Sequence, residues 1–322
     1  MAAALDRPTP AVVDLREIRA SQLGSLLDEE VETWRDTLDW DFNASAELVR
    51  RFVQMQALTG FALLAAGEPI GYSYYVCEER KGLIGDLYIA DSFRSVDYEN
   101  VLLGAVIDAM MSIPFVRRIE SQLMMLSSGL TRPMPRAHRL QTFPRLFMEC
   151  ALDEAEALPA RSVGSGVAFE AWSDRHQDDA ARVIARSYEG HIDSQINDQY
   201  RSIAGARRFL LNIVQYPGCG NFFYPASFVA MDLSQGHLCG VCLSSLVAAD
   251  VGHITQICVT PEAKGAGIGY ELLRRSMRAL VQAGCREVSL TVTTANEQAI
   301  SLYRSVGFTD RRRFAAYVWE GF

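Results

Sequence analysis

From residue 167 onward, apolar and polar positions repeat with periods that name the elements. Residues 167–172 read as a short strand, and 177–188 and 199–214 as helices with apolar residues three and four apart. Residues 222–231, 238–248 and 253–259 read as strands, with Gly236 making the turn between the first two. Leu272, Leu273, Met277, Leu280 and Val281 then form one stripe on a helix that Gly284 closes. Residues 287–293 set Val288, Leu290 and Val292 against Ser289, Thr291 and Thr293, the period of a half-buried strand. A short helix over 296–305, ending at Gly307, and a strand over 315–319 complete this half.

Between the strand at 253–259 and the striped helix runs Val-Thr-Pro-Glu-Ala-Lys-Gly-Ala-Gly-Ile-Gly, residues 259–269. Gly265, Gly267 and Gly269 leave a loop with no side chains on its inner face. Backbone amides at the helix N-terminus can then approach an anion, with the positive end of the helix dipole behind them. The turn is predicted to hold a pyrophosphate. A Walker loop needs four residues between its glycines followed by Gly-Lys-Ser/Thr, and the dinucleotide fingerprint needs Gly-x-Gly-x-x-Gly with an acid about 20 residues on. Neither spacing is present here.

The chain has 322 residues, about twice a typical domain of ~100–150, which predicts two domains. Apolar residues at 49% and charged residues at 22% suit a globular core. A net charge of −8 argues against a nucleic-acid partner. No apolar run approaches the ~20 residues of a membrane span, and the first residues lack a signal-peptide core. The expected location is the cytoplasm, with no membrane partner. Seven scattered cysteines form no disulfide framework, and no metal site is expected. Cys239 and Cys242, three apart in a strand-like run, are expected on opposite faces.

Two segments carry a family resemblance. The turn with Lys264, Gly267 and Gly269, and the stretch Asn-Glu-Gln-Ala-Ile-Ser-Leu-Tyr-Arg-Ser-Val-Gly-Phe over 296–308, resemble the two signatures of the GNAT superfamily of acyl-CoA-dependent N-acetyltransferases. One helix and one strand separate them, as in the family, and Lys264 stands where the family usually carries Arg or Gln. The match covers roughly half of the C-terminal domain. It implies an α/β (α+β) fold with a mixed, mostly antiparallel central sheet flanked by helices, and acetyl-CoA as co-substrate. By the same resemblance Lys264, Gly265, Ala266, Gly267, Ile268 and Gly269 hold the pyrophosphate. Ile257, Cys258 and Val259 lend their strand edge to the pantetheine arm, which makes Cys258 a filler of the sheet rather than a nucleophile. Asn296 bonds the arm or a bridging water, the other reading being a helix N-cap. Tyr303, seven residues on along the same helix face, points toward the thioester sulfur as general acid.

Acetyl transfer to an amine also needs a neutral nucleophile, while an alkyl ammonium with pKa ~10.4 is mostly charged at neutral pH. His253 is the candidate base, on a strand face expected to carry Thr255, Ile257 and Val259 as well; a half-buried structural histidine is the other reading. Asp250 is the reserve base. Tyr188, His191, Asp193 and Tyr200 lie where the family walls its acceptor, a primary amine of a small molecule or a peptide N-terminus. Arg311, Arg312 and Arg313 read as a solvated hairpin turn.

The N-terminal half repeats this plan. Shifted by 170, residues 82–89 fall on 252–259, and Leu102 and Leu103 on Leu272 and Leu273. In that register Asp97 and Glu99 replace Gly267 and Gly269, setting two carboxylates beside the turn, and Pro133 and Pro135 occupy the counterpart of the Asn296 helix. The expected organisation is a flexible N-terminus (1–11), a degenerate GNAT-like domain (12–154) without catalysis, a linker (155–166) and a catalytic domain (167–322), as in mycothiol synthase-type enzymes. A non-catalytic acyl-CoA-binding or sensor protein is the alternative. A nucleotide-binding fold is a third reading, separated by whether CoA or NAD raises the melting temperature. The oligomeric state is not legible.

Overall fold

The structure, a computed structural model, describes residues 10–322 apart from 128, 154, 165 and 217. Most of the expected flexible N-terminus lies outside the described residues, and Ala11 already begins a strand. Contacts divide the chain into two units. The first comprises 10–38, Phe42–Phe143 and Phe314–Phe322; the second comprises Asp39–Asp41 and Pro144–Arg313. The division differs from the expected one, because the 155–166 segment falls inside the second unit and the last strand returns to the first.

In the first unit the elements are β1 (Ala11–Asp14), α1 (Gly24–Leu38), α2 (Asn43–Gln54), β2 (Gly60–Ala65), β3 (Glu68–Glu78), β4 (Lys81–Ile89), α3 (Val96–Met111) and β5 (Arg118–Gln122). Strand β6 (Leu140–Ala151) enters the second unit at Pro144. There follow β7 (Val167–Ala171), α4 (Gln177–Ser187), α5 (Asp193–Ile196), α6 (Ile203–Gln215), β8 (Asn221–Phe222), β9 (Phe228–Asp232), β10 (His237–Ala248) and β11 (Val251–Val259). The order ends with α7 (Ile268–Gln282), β12 (Glu287–Thr293), α8 (Glu297–Ser305) and β13 (Thr309–Glu320). The expected helix over 199–214 is in fact two pieces, a 3-10 turn (Asp198–Arg201) and α6, because Ser202 caps a new helix by accepting from the Gly205 amide. The expected strand over 222–231 is broken at a turn holding Pro225.

The sheet of the second unit runs β6-β12-β11-β10-β9-β7, antiparallel except for β11 against β12. One face packs on α7, whose Leu272, Leu273, Met277 and Leu280 are fully buried, each contributing about 1.5–3 kcal/mol. The other face packs on α4 and α6. Cys239 and Cys242 lie in the same core cluster rather than on opposite faces. The register of β10 on β9 skips Cys239, since Leu238 pairs Met231 and Gly240 pairs Ala230, and a bulge reverses the alternation beyond it. Arg311, Arg312 and Arg313 lie within strand β13 rather than a turn, and Arg311 pairs with Asp39 and Glu149.

The repeat seen in the sequence is structural. In the first unit β2, β3, β4, α3 and β5 follow the same order and pairing as β9, β10, β11, α7 and β12. Gly85 in β4 and Thr255 in β11, 170 residues apart, are each left without a cross-strand partner by a bulge. Gly82 and Gly252 also correspond: a Cβ would come within 2.3 Å of Met110 Sδ in one case and 2.6 Å of Leu280 Cδ1 in the other. The start of α3 differs from that of α7. Ser95 caps it by accepting from the Tyr98 amide, and Glu99 turns inward, where Arg132 and the Ser127 amide and hydroxyl bind its carboxylate. The sequence-based picture of two carboxylates facing the turn fails for Glu99, because the buried Arg132 draws that carboxylate into the protein, while Asp97 is exposed.

The first unit also buries Glu30 and Asp86 side by side. Tyr72 donates to Glu30 at 2.6 Å and Trp34 donates to the same carboxyl at 3.4 Å. Burial raises both carboxyls, Asp86 to about 6. Because the folded values exceed the unfolded ones, this stabilisation is complete below pH ~4 and is lost as pH rises through about 6. Asp86→Asn should therefore flatten the stability of this unit between pH 4 and 7 and raise it at pH 8. Urea unfolding at a series of pH values, followed by tryptophan fluorescence, checks this.

Candidate active site

The site begins where two strands part. β11 and β12 pair in parallel only from Val251–Glu287 to Ile254–Leu290. At Thr255 the bulge intervenes: Gln256 pairs Leu243 and Ile254 pairs Ser244. Beyond it β11 stays on β10, while β12 stays on β6 over its whole length. The edge carrying Ile257, Cys258 and Val259 is thus left unpaired on the β12 side. A cavity of about 270 Å³ opens there.

The expected nucleotide-arm residues meet in this cavity. Ile257, Cys258, Val259, Lys264, Gly265, Gly267, Ile268, Gly269, Asn296 and Tyr303 all line it. Ala266 is the exception; it lies exposed on the outside of the same turn. Gly265 and Gly267 both have φ near +79°, which L side chains rarely adopt, whereas Gly269 has room for a methyl group at ordinary contact distances. Gly267 caps α7 with no side chain folded over the first amides. The acid of that first turn, Glu271, is bound by Arg274 and Arg275 at 2.8 Å each. The N-terminus of α7 therefore presents uncapped N–H groups to the cavity.

Other lining residues carried no readable signal. Arg161, in the segment taken for a linker, stacks over the Tyr270 ring at 3.8 Å, and Tyr270 donates to the Pro159 carbonyl. Both residues line the cavity, with Arg161 adding a second cation beside Lys264. Ser187, Gln298 and Leu302 also line it.

On α8, the Asn296 side chain accepts from the Ala299 amide at 3.2 Å, so it caps the helix while still facing the cavity. Tyr303 is 7% exposed, and its hydroxyl makes no hydrogen bond with the described residues. Burial holds its phenol well above the ordinary value, so it keeps its proton at neutral pH. Burial likewise lifts the Cys258 thiol to about 11, which leaves it a thiol.

The opposite wall belongs to the segment after α4. Tyr188 and Tyr200 stack at 4.3 Å, and the buried Gln256 donates to the Tyr188 hydroxyl at 2.9 Å. Tyr188 and His191 line the cavity. The Asp193 amide donates to His191 Nδ1 at 3.1 Å, so in the neutral ring the proton sits on Nε2. Asp193 Oδ1 accepts from the Thr293 hydroxyl at the end of β12.

Both expected bases fall outside this arrangement. The bulge at Thr255 moves His253 off the face it was assigned: Ile257 and Val259 pack toward α7, while His253 lies against Trp40 and Phe147 on the other face. It is 4% exposed, hydrogen-bonded to Ser289 at 2.9 Å, and does not line the cavity. Burial, and Arg145 second, push its pKa down to about 3. Asp250 sits at the exposed β10–β11 turn, at the far end of β11 from Val259, bound by Arg286. Among the described residues no cluster of His, Cys, Asp and Glu could hold a metal, and no helix is long and apolar enough to cross a membrane. For His253, a folded pKa below the unfolded ~6.5 means stability present above that value and lost as pH falls. Its ring resonances should accordingly stay constant from pH 8 to pH 5 in an NMR titration.

Comparison with known proteins agrees with this geometry. The acetyltransferase (GNAT) family profile matches residues 196–308. An N-alpha-acetyltransferase of Arabidopsis thaliana is 34% identical over 70 residues, covering 22% of this chain and 37% of that protein. A mycothiol acetyltransferase of Paenarthrobacter aurescens is 26% identical over 162 residues, covering 49% and 47%. The chain thus spans less than half the length of these curated relatives. Over 97% of the chain the fold is similar to that of a GCN5-related N-acetyltransferase from Sphaerobacter thermophilus, with TM-score 0.67, 18% identity and 96% of that chain covered. It is also similar to a tandem GNAT protein from the clavulanic acid biosynthesis pathway, with TM-score 0.63, 16% identity and 98% covered. The turn, the parting of β11 from β12 and the tyrosine-bearing helix thus lie within the segment that matches the acetyltransferase (GNAT) family profile, in a chain whose fold is similar to that of tandem GNAT proteins.

Proposed function

We propose that the protein transfers an acetyl group from acetyl-CoA to a primary amine, by direct attack while both substrates are bound in the second unit. The observation that carries this reading is the cavity itself: one unpaired strand edge, one uncapped helix N-terminus and one protonated phenol converge on it. The amides at Gly267 and Ile268, with Lys264 and Arg161, would hold the diphosphate of CoA. The free edge at Ile257, Cys258 and Val259 would take the pantetheine amides as an added strand. Acetyl-CoA then supplies the thioester. The phenol of Tyr303 gives its proton to the departing sulfur, which suits a group that stays protonated at neutral pH.

The amine must lose a proton before it attacks. His253 is buried away from the cavity, and the Nε2–H tautomer makes neutral His191 a donor there. The carboxylate beside His191 is Asp193, which would hold the incoming ammonium and receive its proton. The acceptor class, a small-molecule amine or a peptide N-terminus, follows the relatives' printed activities. The first unit would serve as scaffold. The Ser95 hydroxyl already takes the Tyr98 amide at the start of α3, and Glu99 of its first turn is bound by Arg132.

Calorimetry should find one CoA bound per chain, and Gly267→Ala should weaken it about tenfold or more through the methyl group and the strained turn. Two CoA per chain would overturn the scaffold role, and none would overturn the function. In a free-thiol assay with acetyl-CoA and an amine panel, Tyr303→Phe should lower kcat by about 100-fold or more with little change in KM for acetyl-CoA. An unchanged kcat would remove its role as acid.

A further inference from the structure

Arg145 is a cation that the fold leaves uncompensated. It sits on β6 directly across from Thr293 of β12, and the side chains of such cross-strand partners share a face. That face also carries Thr291, Phe147 and His253, opposite the face that packs on α7. Arg145 is 9% exposed, and its Nη2 donates to Thr291 Oγ1 at 3.1 Å. Its Nε–H is buried with no acceptor, and no carboxylate among the described residues lies within salt-bridge distance. The other buried arginine of the second unit, Arg274, is not left this way: it forms a two-bond fork on Glu271. A buried guanidinium with neither a counter-charge nor a full set of acceptors carries a desolvation penalty that a ligand anion would relieve.

Its position says which ligand. Thr293, its cross-strand partner, holds Asp193, whose amide in turn holds His191 on the cavity wall. The field of Arg145 reaches Tyr303 and Tyr200, and that of Asp193 reaches the same two phenols. A positive and a negative side chain thus flank one compartment without pairing with each other. Such an arrangement is complementary to a molecule carrying an ammonium and a carboxylate.

We propose that Arg145 binds a carboxylate of the acceptor, so that the substrate of this site is an amino acid or another amine bearing a carboxylate. The proposal rests on the acetyltransferase reading. The ammonium end lies toward Asp193 and His191, and the carboxylate end takes the planar fork of Arg145, which suits a two-oxygen anion. A carboxylate on the acyl group would satisfy the same chemistry, but Arg145 faces the acceptor wall rather than the strand edge at Ile257 and Val259.

The test is a panel of free amino acids, each beside its C-terminal amide, with acetyl-CoA as donor and free thiol as readout. The free acids should exceed their amides in kcat/KM by about 10- to 100-fold, the worth of a charge-assisted pair. Arg145→Gln should erase the difference by raising KM for the acids. It should leave the CoA dissociation constant unchanged and should not lower the melting temperature, as loss of a merely structural arginine would. Equal rates for acids and amides would overturn the proposal while leaving the acetyltransferase intact, and so would a panel without turnover on an enzyme that binds acetyl-CoA and acetylates other amines. A preference for succinyl-CoA over acetyl-CoA that depends on Arg145 would place the carboxylate on the donor and also overturn it. Failure of CoA to bind at all counts against the enzyme reading instead.

Discussion

One extra residue in a strand organises the second unit. With Thr255 bulged out of the β10–β11 ladder, β11 can follow β10 while β12 follows β6, and the two neighbours part after Ile254 and Leu290. A half-buried strand edge leaves backbone hydrogen bonds to be completed by water or by a ligand. Here the edge faces a cavity, and the group suited to complete it is an extended amide chain. The same bulge decides which side chains meet that chain. Ile254 and Ile257, three apart, both turn toward α7, and His253 is turned away to the aromatic pair of Trp40 and Phe147. Backbone geometry, more than any single side chain, makes the site.

The first unit repeats the same backbone plan with different groups at the helix N-terminus. It has the corresponding bulge at Gly85 and a short parallel pairing of β4 on β5. Protein groups occupy the positions that stay open in the second unit. Ser95 takes an amide of α3, Arg132 is neutralised by Glu99, and Glu30 and Asp86 fill the place next to Tyr72. A helix N-terminus satisfied by its own cap has little left for an anion. The contrast with Gly267, which offers no side chain at all, is chemical rather than topological.

Charge in the second unit follows the same division of open and closed. Glu271 is closed by two arginines, and Arg311 is closed by Asp39 and Glu149. Lys264 and Arg161 line the cavity without that closure, Arg145 donates to the Thr291 hydroxyl with no carboxylate partner among the described residues, and Asp193 accepts from the Thr293 hydroxyl. The two phenols, Tyr303 and Tyr188, are kept protonated by burial.

The sequence by itself determined the elements from 236 to 307, the glycine turn between β11 and α7, the tyrosine of α8 and the repeat. Each is a local pattern: a period, a glycine spacing, or a motif within one element and its flanks. Tertiary structure decided what local pattern does not encode. A one-residue bulge is invisible to a period-two reading yet reverses every side chain beyond it, which is why His253 and the pair Cys239 and Cys242 were assigned to the wrong faces. Arg145, 158 residues before Tyr303, is set across from Thr293 of β12, and Arg161, 142 residues before it, lines the cavity, although the sequence pattern places them in another domain and a linker. Strand pairing and packing bring them there, because burial and cross-strand neighbours are properties of the folded sheet and not of the residues next to them in the chain.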